Sequence, residues 1–272
     1  MTSSADGFQK AHKSKLNSLS VKVRSFDEQL DEARKTIGES ELLQSLRNSL
    51  DSFHITHMRC LALGSFTQDS PARFQLALLL ELLDTLKVSK CSLYDPAFDD
   101  EDLAYINDME RQSSCVWSVD ERSPFLDVHS EHILFFLPHA PLSLTEKVIS
   151  EESPQIWLAN HLIQHTDRFT KLQLYTKYPL VSKLVHHINS ATVNKVSLGA
   201  KADDDGFQPF TSSRKRKSQR RNKFKEPAIE YDTVESYFKS CKITNDFEDG
   251  TTLTGRIWLN SFSDLALHLI ET

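Results

Sequence analysis

Apolar residues recur at steps of three and four positions in two segments near the start of the chain. In the first segment the repeating residues are Phe26, Leu30, Ala33 and Ile37. After Gly38, leucines follow at positions 42, 43, 46 and 50. This spacing places each set on one side of a helix, so it predicts two amphipathic helices. We expect each helix to pack one face against the main domain.

Beyond residue 55, short apolar runs alternate with segments of helical spacing. The runs predict strands at residues 59–63, 90–94, 115–119, 132–137 and 155–159. The segments between and after them predict helices at residues 74–86, 99–109, 143–150, 167–175 and 179–188. Ser70 and Pro71 mark the start of the first of these helices, because proline has no N–H to leave unpaired there. Later in the chain we predict a helix at 231–239 and strands at 193–198, 256–259, 265–270 and around 243.

Strands that alternate with helices and stay apolar along their length are typical of a parallel sheet buried on both faces. The sequence therefore predicts an α/β protein with a mainly parallel, Rossmann-like sheet covered by helices on both faces and an N-terminal helical extension. We divide the chain into a flexible leader (1–24), N-terminal amphipathic helices (25–54), an α/β core domain (55–200), a basic disordered insert (201–227) and a C-terminal segment that returns to the sheet (228–272).

Composition and charge limit the binding partners and the cellular compartment that we expect for this protein. The 272 residues are 39% hydrophobic and 26% charged, as in a packed globular protein, and the net charge of −6 argues against attraction of the whole surface to nucleic acid or membranes. The N-terminus lacks the apolar stretch of a signal peptide, and no run approaches the roughly 20 apolar residues of a membrane span. We therefore expect a cytoplasmic and nuclear protein. The four cysteines form no C-x-x-C pair, so we expect no metal site.

The candidate ligand-binding residues follow the predicted strands. In an open parallel sheet, ligands bind at the carboxyl ends of the strands, where loop amides and helix N-termini converge. Gly64 and Ser65 follow the first strand, and Asp95, His139 and Asn160 follow later ones. Gly64 can turn the backbone sharply toward a ligand, although the G-x-G-x-x-G fingerprint is missing. We predict a ligand-binding cleft at this edge of the sheet.

Each of these side chains allows more than one role. Asp95 stands where nucleotide binders carry an acid for ribose hydroxyls, but Asp-Pro is also a common turn signal. His139 could act as an acid or base, contact a ligand, bind a metal or be structural. Asn160 could orient a ligand or close the end of its strand. Ser65, His139 and Asp95 could form a hydrolytic triad, but the G-x-S-x-G motif is absent, so the catalytic residues stay unknown.

A dense basic run occupies residues 214–225, where eight of twelve positions are Lys or Arg. Such a run fits a nuclear-localisation signal, and the alternative is a solvated charged loop. Phe224 is its only aromatic residue, so it lacks the stacking platform of a single-strand binder, and we do not expect a nucleic-acid partner. The predicted localisation residues are Arg214, Lys215, Arg216, Lys217, Arg220 and Arg221.

Five stretches in a fixed order suggest a family. They read RCLALGSF at 59–66, QLALLLELL at 75–83, YDP at 94–96, LFFLPH at 134–139 and SFSDLALH at 261–268. Together they resemble the SRR-like domain, the family named for "sensitivity to red light reduced", over residues 55–165 and 255–270. The chain departs from the family pattern at two positions. Ala159 precedes Asn160 where the family often has glycine, and Ser263 stands where asparagine is common.

The resemblance implies a regulatory protein of nucleus and cytoplasm. Plant members of the family are tied to light signalling and clock input, animal members to haem metabolism, and a fungal member to microtubule-related growth phenotypes. This chain looks closest to the fungal type. The leading hypothesis is a regulatory protein with a ligand-type cleft, acting in growth, clock-input, haem-related or microtubule-related regulation.

The alternative hypothesis is an enzyme that acts on a nucleotide-like or tetrapyrrole-related small molecule. A haem-binding version would need His139 or His161 as the axial ligand. The cofactor is unknown, and the expected partner is an unidentified small molecule or protein. The sequence also leaves open whether His268, near the end of the last strand, joins the site or only packs there.

Overall fold

The computed structural model describes residues 24–199 and 228–272. The predicted leader, apart from Arg24, and the predicted basic insert with its six localisation residues lie outside the described residues. Within the two described stretches, no helix is both long enough and apolar enough to cross a membrane.

The two N-terminal helices form as the spacing predicts. The first, α1, spans Phe26–Gly38, and α2 spans Glu41–Leu50. Ser25 caps α1: its side chain accepts a hydrogen bond from the Glu28 amide, and the Glu28 carboxylate accepts one from the Ser25 amide. This reciprocal pair satisfies two amides that would otherwise lack partners. Both helices bury their apolar stripes, which in α1 means Leu30, Ala33 and Ile37.

Seven strands in the described residues form one sheet. They are β1 His57–Leu61, β2 Lys90–Tyr94, β3 Val116–Val119, β4 Ile133–Leu137, β5 Ile156–Asn160, β6 Ser240–Asn245 and β7 Leu265–Glu271. The other helices are α3 Ser70–Leu86, α4 Asp100–Gln112, α5 Leu142–Glu152, α6 Leu162–Thr166, α7 Lys171–Lys177, α8 Pro179–Gly199 and α9 Leu259–Phe262.

The sheet is mostly parallel, with the strand order β3-β2-β1-β4-β5-β7-β6. The first five strands pair in parallel with their neighbours, and β7 runs antiparallel to both β5 and β6. The prediction of an α/β protein with a mainly parallel sheet is therefore confirmed. The chain adds β2 and β3 on one side of β1, and then β4 and β5 on the other side. Such a reversal opens a crevice at the strand ends, which is where open α/β sheets bind ligands.

Alternate residues of the central strands enter two separate apolar clusters. In β4, Leu134 and Phe136 belong to the first cluster, and Ile133, Phe135 and Leu137 belong to the second. The first cluster also contains buried residues of α1, α2 and α3, and the second contains residues of α5, α7 and α8. Because successive side chains of a strand point to opposite sides of a sheet, the strands supply apolar surface to both clusters.

Two elements of the core differ from their predicted bounds. The first strand was expected at 59–63, but β1 ends at Leu61 because Ala62 takes a left-handed backbone conformation, with φ of 56°. Such a conformation breaks the pleated ladder. The helix predicted at 167–175 begins only at Lys171, as α7, and residues 167–170 form the turn that links it to α6. This helix begins at a capping box in which Thr170 and Gln173 satisfy each other's backbone amides.

Three predictions outside the central strands were wrong. Residues 193–198 were predicted as a strand but continue α8, because no proline or glycine interrupts that helix before Gly199. Residues 231–239 form a helical turn only at Tyr231–Thr233, and the rest is irregular, with the Tyr237 hydroxyl donating to the Pro154 carbonyl at 2.6 Å. Residues 256–258 form a turn that leads into α9, which begins at Leu259. The strand predicted at 265–270 is confirmed as β7.

Candidate ligand-binding site

A cavity of about 760 Å³ opens at the carboxyl ends of β1, β2 and β4. Its walls come from the segments that follow these strands, from the start of α3 and from one side of α5. This volume lies in the range of small-molecule sites. Apolar lining residues include Leu61, Leu63, Ala72, Leu144 and Val148, and polar lining residues include Asp69, Gln75, Tyr94, Glu121, Lys147, Glu151 and Glu152.

Three of the five predicted ligand-binding residues line this cavity. They are Gly64, Asp95 and His139, which follow β1, β2 and β4 respectively. Ser65 and Asn160 are not among the lining residues. The structure therefore gathers part of the predicted set around one space and places the other two residues beside it.

Gly64 and Asp95 join the ends of β1 and β2. Asp95 Oδ2 accepts a hydrogen bond from the Gly64 amide at 2.7 Å, and Oδ1 accepts one from the Ala97 amide at 2.8 Å. Gly64 has φ of 77°, and Ala62, which also lines the cavity, has φ of 56°. Left-handed conformations cost energy in residues with a Cβ, and strain of this kind clusters at functional sites.

The backbone at Gly64 gives a testable prediction. Gly64→Ala should lower the free energy of unfolding by about 1–2 kcal/mol, because the added Cβ disfavours a positive φ. The Cβ itself would meet only the Ala72 Cβ, at 3.4 Å. Chemical denaturation measures the change. Gly38→Ala is the matched control, because Gly38 ends α1 in a conformation open to alanine, and it should be neutral or slightly stabilising. Equal losses in both variants would contradict this account.

His139 is exposed at the cavity mouth, and the structure does not join it to Ser65 or Asp95. Both Asp95 oxygens accept hydrogen bonds from backbone amides. The Ser65 hydroxyl is buried without a hydrogen-bond partner in the described part of the chain. The three side chains therefore stand at neighbouring strand ends without the hydrogen bonds that define a hydrolytic triad.

Asn160 belongs to a second polar group, at the ends of β5 and β7. Its amide donates to Asp264 Oδ1 at 3.1 Å and to Oδ2 at 3.0 Å, and His165 Nδ1 lies 3.6 Å from Asp264 Oδ2. Burial alone would raise the pKa of Asp264, but His165 and the Asn160 amide outweigh it and hold that pKa below its ordinary value. Asn160 Oδ1 and His165 Nε2 are buried without hydrogen-bond partners among the described residues.

His268 packs inside the sheet. It is fully buried in β7, its Nδ1 lies 3.3 Å from the Trp157 carbonyl, and its Nε2 accepts from the Leu162 amide at 3.3 Å. A carbonyl only accepts and an amide only donates, so Nδ1 carries the proton and the ring is neutral. Burial lowers the pKa of His268 to about 3. His268 therefore packs inside the sheet and does not line the cavity.

A buried arginine supports the outer wall of the cavity. Arg59 in β1 is fully buried, and its Nε and one terminal nitrogen bind the Glu152 carboxylate at 3.2 and 3.4 Å. The same side chain donates to the Ser92 hydroxyl and to the carbonyls of Asp120 and Glu121 at 2.8–3.0 Å. All five guanidinium N–H groups therefore have acceptors. Because Glu121 and Glu152 line the cavity, this network fixes their positions.

Sequence reasoning missed several residues of the two groups. Gln75 gave a usable signal, because it is a polar residue within a helix that is otherwise almost wholly apolar. Asp264 and His165 gave none, since they approach Asn160 only through the pairing of β5 with β7. Arg59 also carried a signal, as a charge in the middle of a buried strand.

The described residues contain no group of three or more His, Cys, Asp or Glu side chains arranged to hold a metal ion. All four cysteines are buried free thiols, as expected for the three that lie in apolar runs. Burial raises the pKa of Cys115 to about 11, so this thiol is protonated at neutral pH and unreactive.

A scan against models of protein families finds a match. The model described as the SRR1 domain matches residues 26–269, which runs from the start of α1 into β7. The match therefore includes both the cavity and the polar group at Asn160.

Proposed function

Because the chain belongs to the SRR1 domain family, we propose that it is a regulatory protein that senses a small nucleoside-like molecule in the strand-end cavity. The cavity carries this proposal, since it lies beside the crevice between β1 and β4 and has a volume suited to such a ligand. Growth, clock-input, haem-related and microtubule-related regulation are the processes that we propose for such a sensor.

We also propose that the sheet is Rossmann-like, which favours a nucleotide-type ligand. The first five strands follow the order 3-2-1-4-5 that nucleotide-binding sheets share, and we propose that helices cover both faces of the sheet. The division of the apolar residues into two clusters, each with its own helices, supports that coverage. Fold alone does not establish function, so the side chains that line the cavity must indicate the ligand class.

Asp95 is the residue that we propose for ribose recognition. It follows β2, the position at which nucleotide-binding sheets place an acid for the ribose hydroxyls. A carboxylate offers about four acceptor sites, and the Gly64 and Ala97 amides use two of them. The remaining lone pairs can accept from a diol, while Tyr94 and the apolar wall of α5 offer surface to a base.

The test is thermal and chemical denaturation with adenosine and other nucleosides. A ligand that binds only the folded state raises the free energy of unfolding by about 2.7 kcal/mol at a hundredfold excess over its Kd. We expect such a shift in the natural protein and its loss in Leu144→Trp, because the larger ring projects into the cavity and obstructs the ligand.

The matched control is Leu172→Trp, the same substitution at an exposed residue of α7 that does not line the cavity. This variant should keep the full ligand-induced shift. An equal response from both tryptophan variants would place the binding elsewhere. Failure of every nucleoside to stabilise the natural protein would refute the proposed ligand class.

The alternative proposal is an enzyme that acts on a nucleotide-like or tetrapyrrole-related molecule. The polar group of Asn160, Asp264 and His165 supports it, because a carboxylate beside one imidazole nitrogen leaves the other nitrogen free for proton transfer. Mass spectrometry of the ligands after long incubation with the protein distinguishes the two proposals. Unchanged ligands support a sensor, and turnover that is lost in His165→Gln supports an enzyme.

We also propose that the protein is shared between cytoplasm and nucleus, on the basis of the basic run at 214–225. Changing its six predicted localisation residues to glutamine should move a fluorescent fusion out of the nucleus. Changing six lysines or arginines elsewhere in the chain is the control for net charge. Unaltered nuclear signal after the first change would exclude this segment as the import signal.

A further inference from the structure

We infer that the cavity selects nucleosides whose 5′ substituent is positively charged, such as an ammonium or sulfonium group, over those that carry phosphate. This inference rests on the proposed nucleoside site and adds the charge of its ligand. Three features of the cavity support it: the start of α3, the balance of charges in the lining, and one buried acceptor.

The start of α3 is poorly suited to phosphate. Dinucleotide sites place the phosphates against free amides at the start of the helix that follows β1. Here the N-cap residue is Asp69, whose carboxylate makes no capping hydrogen bond, and Pro71 removes one amide from the first turn. Both residues line the cavity. A phosphate at this end would meet a carboxylate and would have fewer donors to bind it.

The ionisable lining is mostly acidic. Five carboxylates line the cavity, against one lysine and His139. Glu152 is paired with Arg59, and Glu151 lies 4.0 Å from Lys147. Asp69 and Glu121 form no ion pair within 4.0 Å in the described stretches, although Arg73 interacts with Asp69 at longer range. Asp69 and Glu121 are both exposed, and together with Asp95 they favour a cation over an anion at the cavity.

Gln75 provides a neutral acceptor in the same space. It lines the cavity while being only 1% exposed, and its Nε2 donates to the Ser261 carbonyl at 3.0 Å. A carbonyl accepts only, so this contact identifies the nitrogen, and Oε1 is the remaining acceptor. Among the described residues, no donor reaches Oε1. Because Gln75 lines the cavity, this oxygen can accept a hydrogen bond from an ammonium or amino group of the ligand.

The test compares three nucleosides that differ only at the 5′ carbon: 5′-amino-5′-deoxyadenosine, adenosine and adenosine monophosphate. Calorimetric titration is done at about 10 mM ionic strength, where the Debye length is about 30 Å. We expect the amine to bind about tenfold more tightly than adenosine, and the phosphate about tenfold more weakly, since one unit charge near unpaired carboxylates supplies energies of this order.

Glu121→Gln removes one unpaired carboxylate and keeps the backbone carbonyl that Arg59 uses. It should reduce the preference for the amine over adenosine about threefold. Glu235→Gln is the control, because Glu235 is exposed and does not line the cavity. It should leave both affinities unchanged.

The outcomes separate the two proposals. Equal affinity for the amine and adenosine, or tightest binding of the phosphate, would overturn the charge selectivity and leave the nucleoside site standing. No binding of any of the three would refute the nucleoside site itself, and the charge selectivity with it.

Discussion

Arg59→Met should lower the free energy of unfolding by about 3–5 kcal/mol, which is the range for removing one partner of a buried ion pair. Arg59 is fully buried and Glu152 is only 10% exposed, so the carboxylate would be left without its cation away from water. The Ser92 hydroxyl and the carbonyls of Asp120 and Glu121 would also lose donors. Methionine keeps most of the length of the side chain and leaves little empty space. The lost free energy of unfolding therefore comes mainly from the missing polar contacts.

Urea denaturation measures this change, and Arg34→Met is the matched control. Arg34 also forms two ion pairs, with Glu81 and Asp84, but its side chain is 32% exposed. An ion pair in contact with solvent contributes about 0–1 kcal/mol, so the control, which loses two such pairs, should lose no more than about 2 kcal/mol. Similar losses at both arginines would contradict the argument from burial.

A double variant isolates the role of the unpaired carboxylate. Arg59→Met combined with Glu152→Met should be more stable than Arg59→Met alone, because the buried charge is then absent. If the double variant is as unstable as the single one, the loss comes from the hydroxyl and carbonyl partners instead.

The second large effect is a loss of stability in acid that depends on His268. The unfolded chain takes up a proton at this residue near pH 6.5, whereas burial holds the pKa in the folded protein at about 3. Between these values the unfolded state binds more protons, so stability falls as the pH falls. The cost reaches about 1.4 kcal/mol per pH unit, or about 2 kcal/mol at pH 5.

Denaturation at pH 7.5 and pH 5.0 tests the role of His268. His268→Gln is less stable at both values, since it loses buried contacts, but it should lose about 2 kcal/mol less than the natural protein between them. Other histidines titrate in both proteins and cancel in the comparison. His129→Gln, at an exposed position, should keep the natural response to pH. An identical acid loss with and without His268 would contradict the burial of a neutral ring.

The spacing of apolar residues predicted the core of the fold, because that spacing is regular in its strands and helices. The strands at 90–94 and 265–270 and the stripes of α1 and α2 follow directly from apolar spacing. The errors lie where tertiary contacts decide the backbone. Beyond the turn at Tyr231–Thr233, the segment to residue 239 is held out of a helix by burial of Phe238 and by the contact of Tyr237 with Pro154, which lies 83 residues away. The order of the strands in the sheet could not be predicted either, because the spacing of apolar residues does not identify which strands are neighbours.

The candidate site was predicted in part for a similar reason. Gly64, Asp95 and His139 could be found because each directly follows a strand, and parallel strands end at the same edge. Residues that reach the cavity from helices, such as Gln75 and Lys147, do not follow a strand, so their position in the sequence does not indicate a site. The partnership of Asn160 with Asp264 joins residues 104 positions apart, and a single sequence contains no indication of that distance.

The position of β7 also has a consequence for how the chain folds during synthesis. Trp157 in β5 pairs with His268 in β7, 111 residues later, and in the described chain β6 joins the sheet only through β7. The ribosome therefore completes β1 to β5 long before β7 exists. Until then, β5 presents an unpaired and strongly apolar edge, which is a site for aggregation. A chaperone that holds nascent chains would have its longest period of contact at this edge.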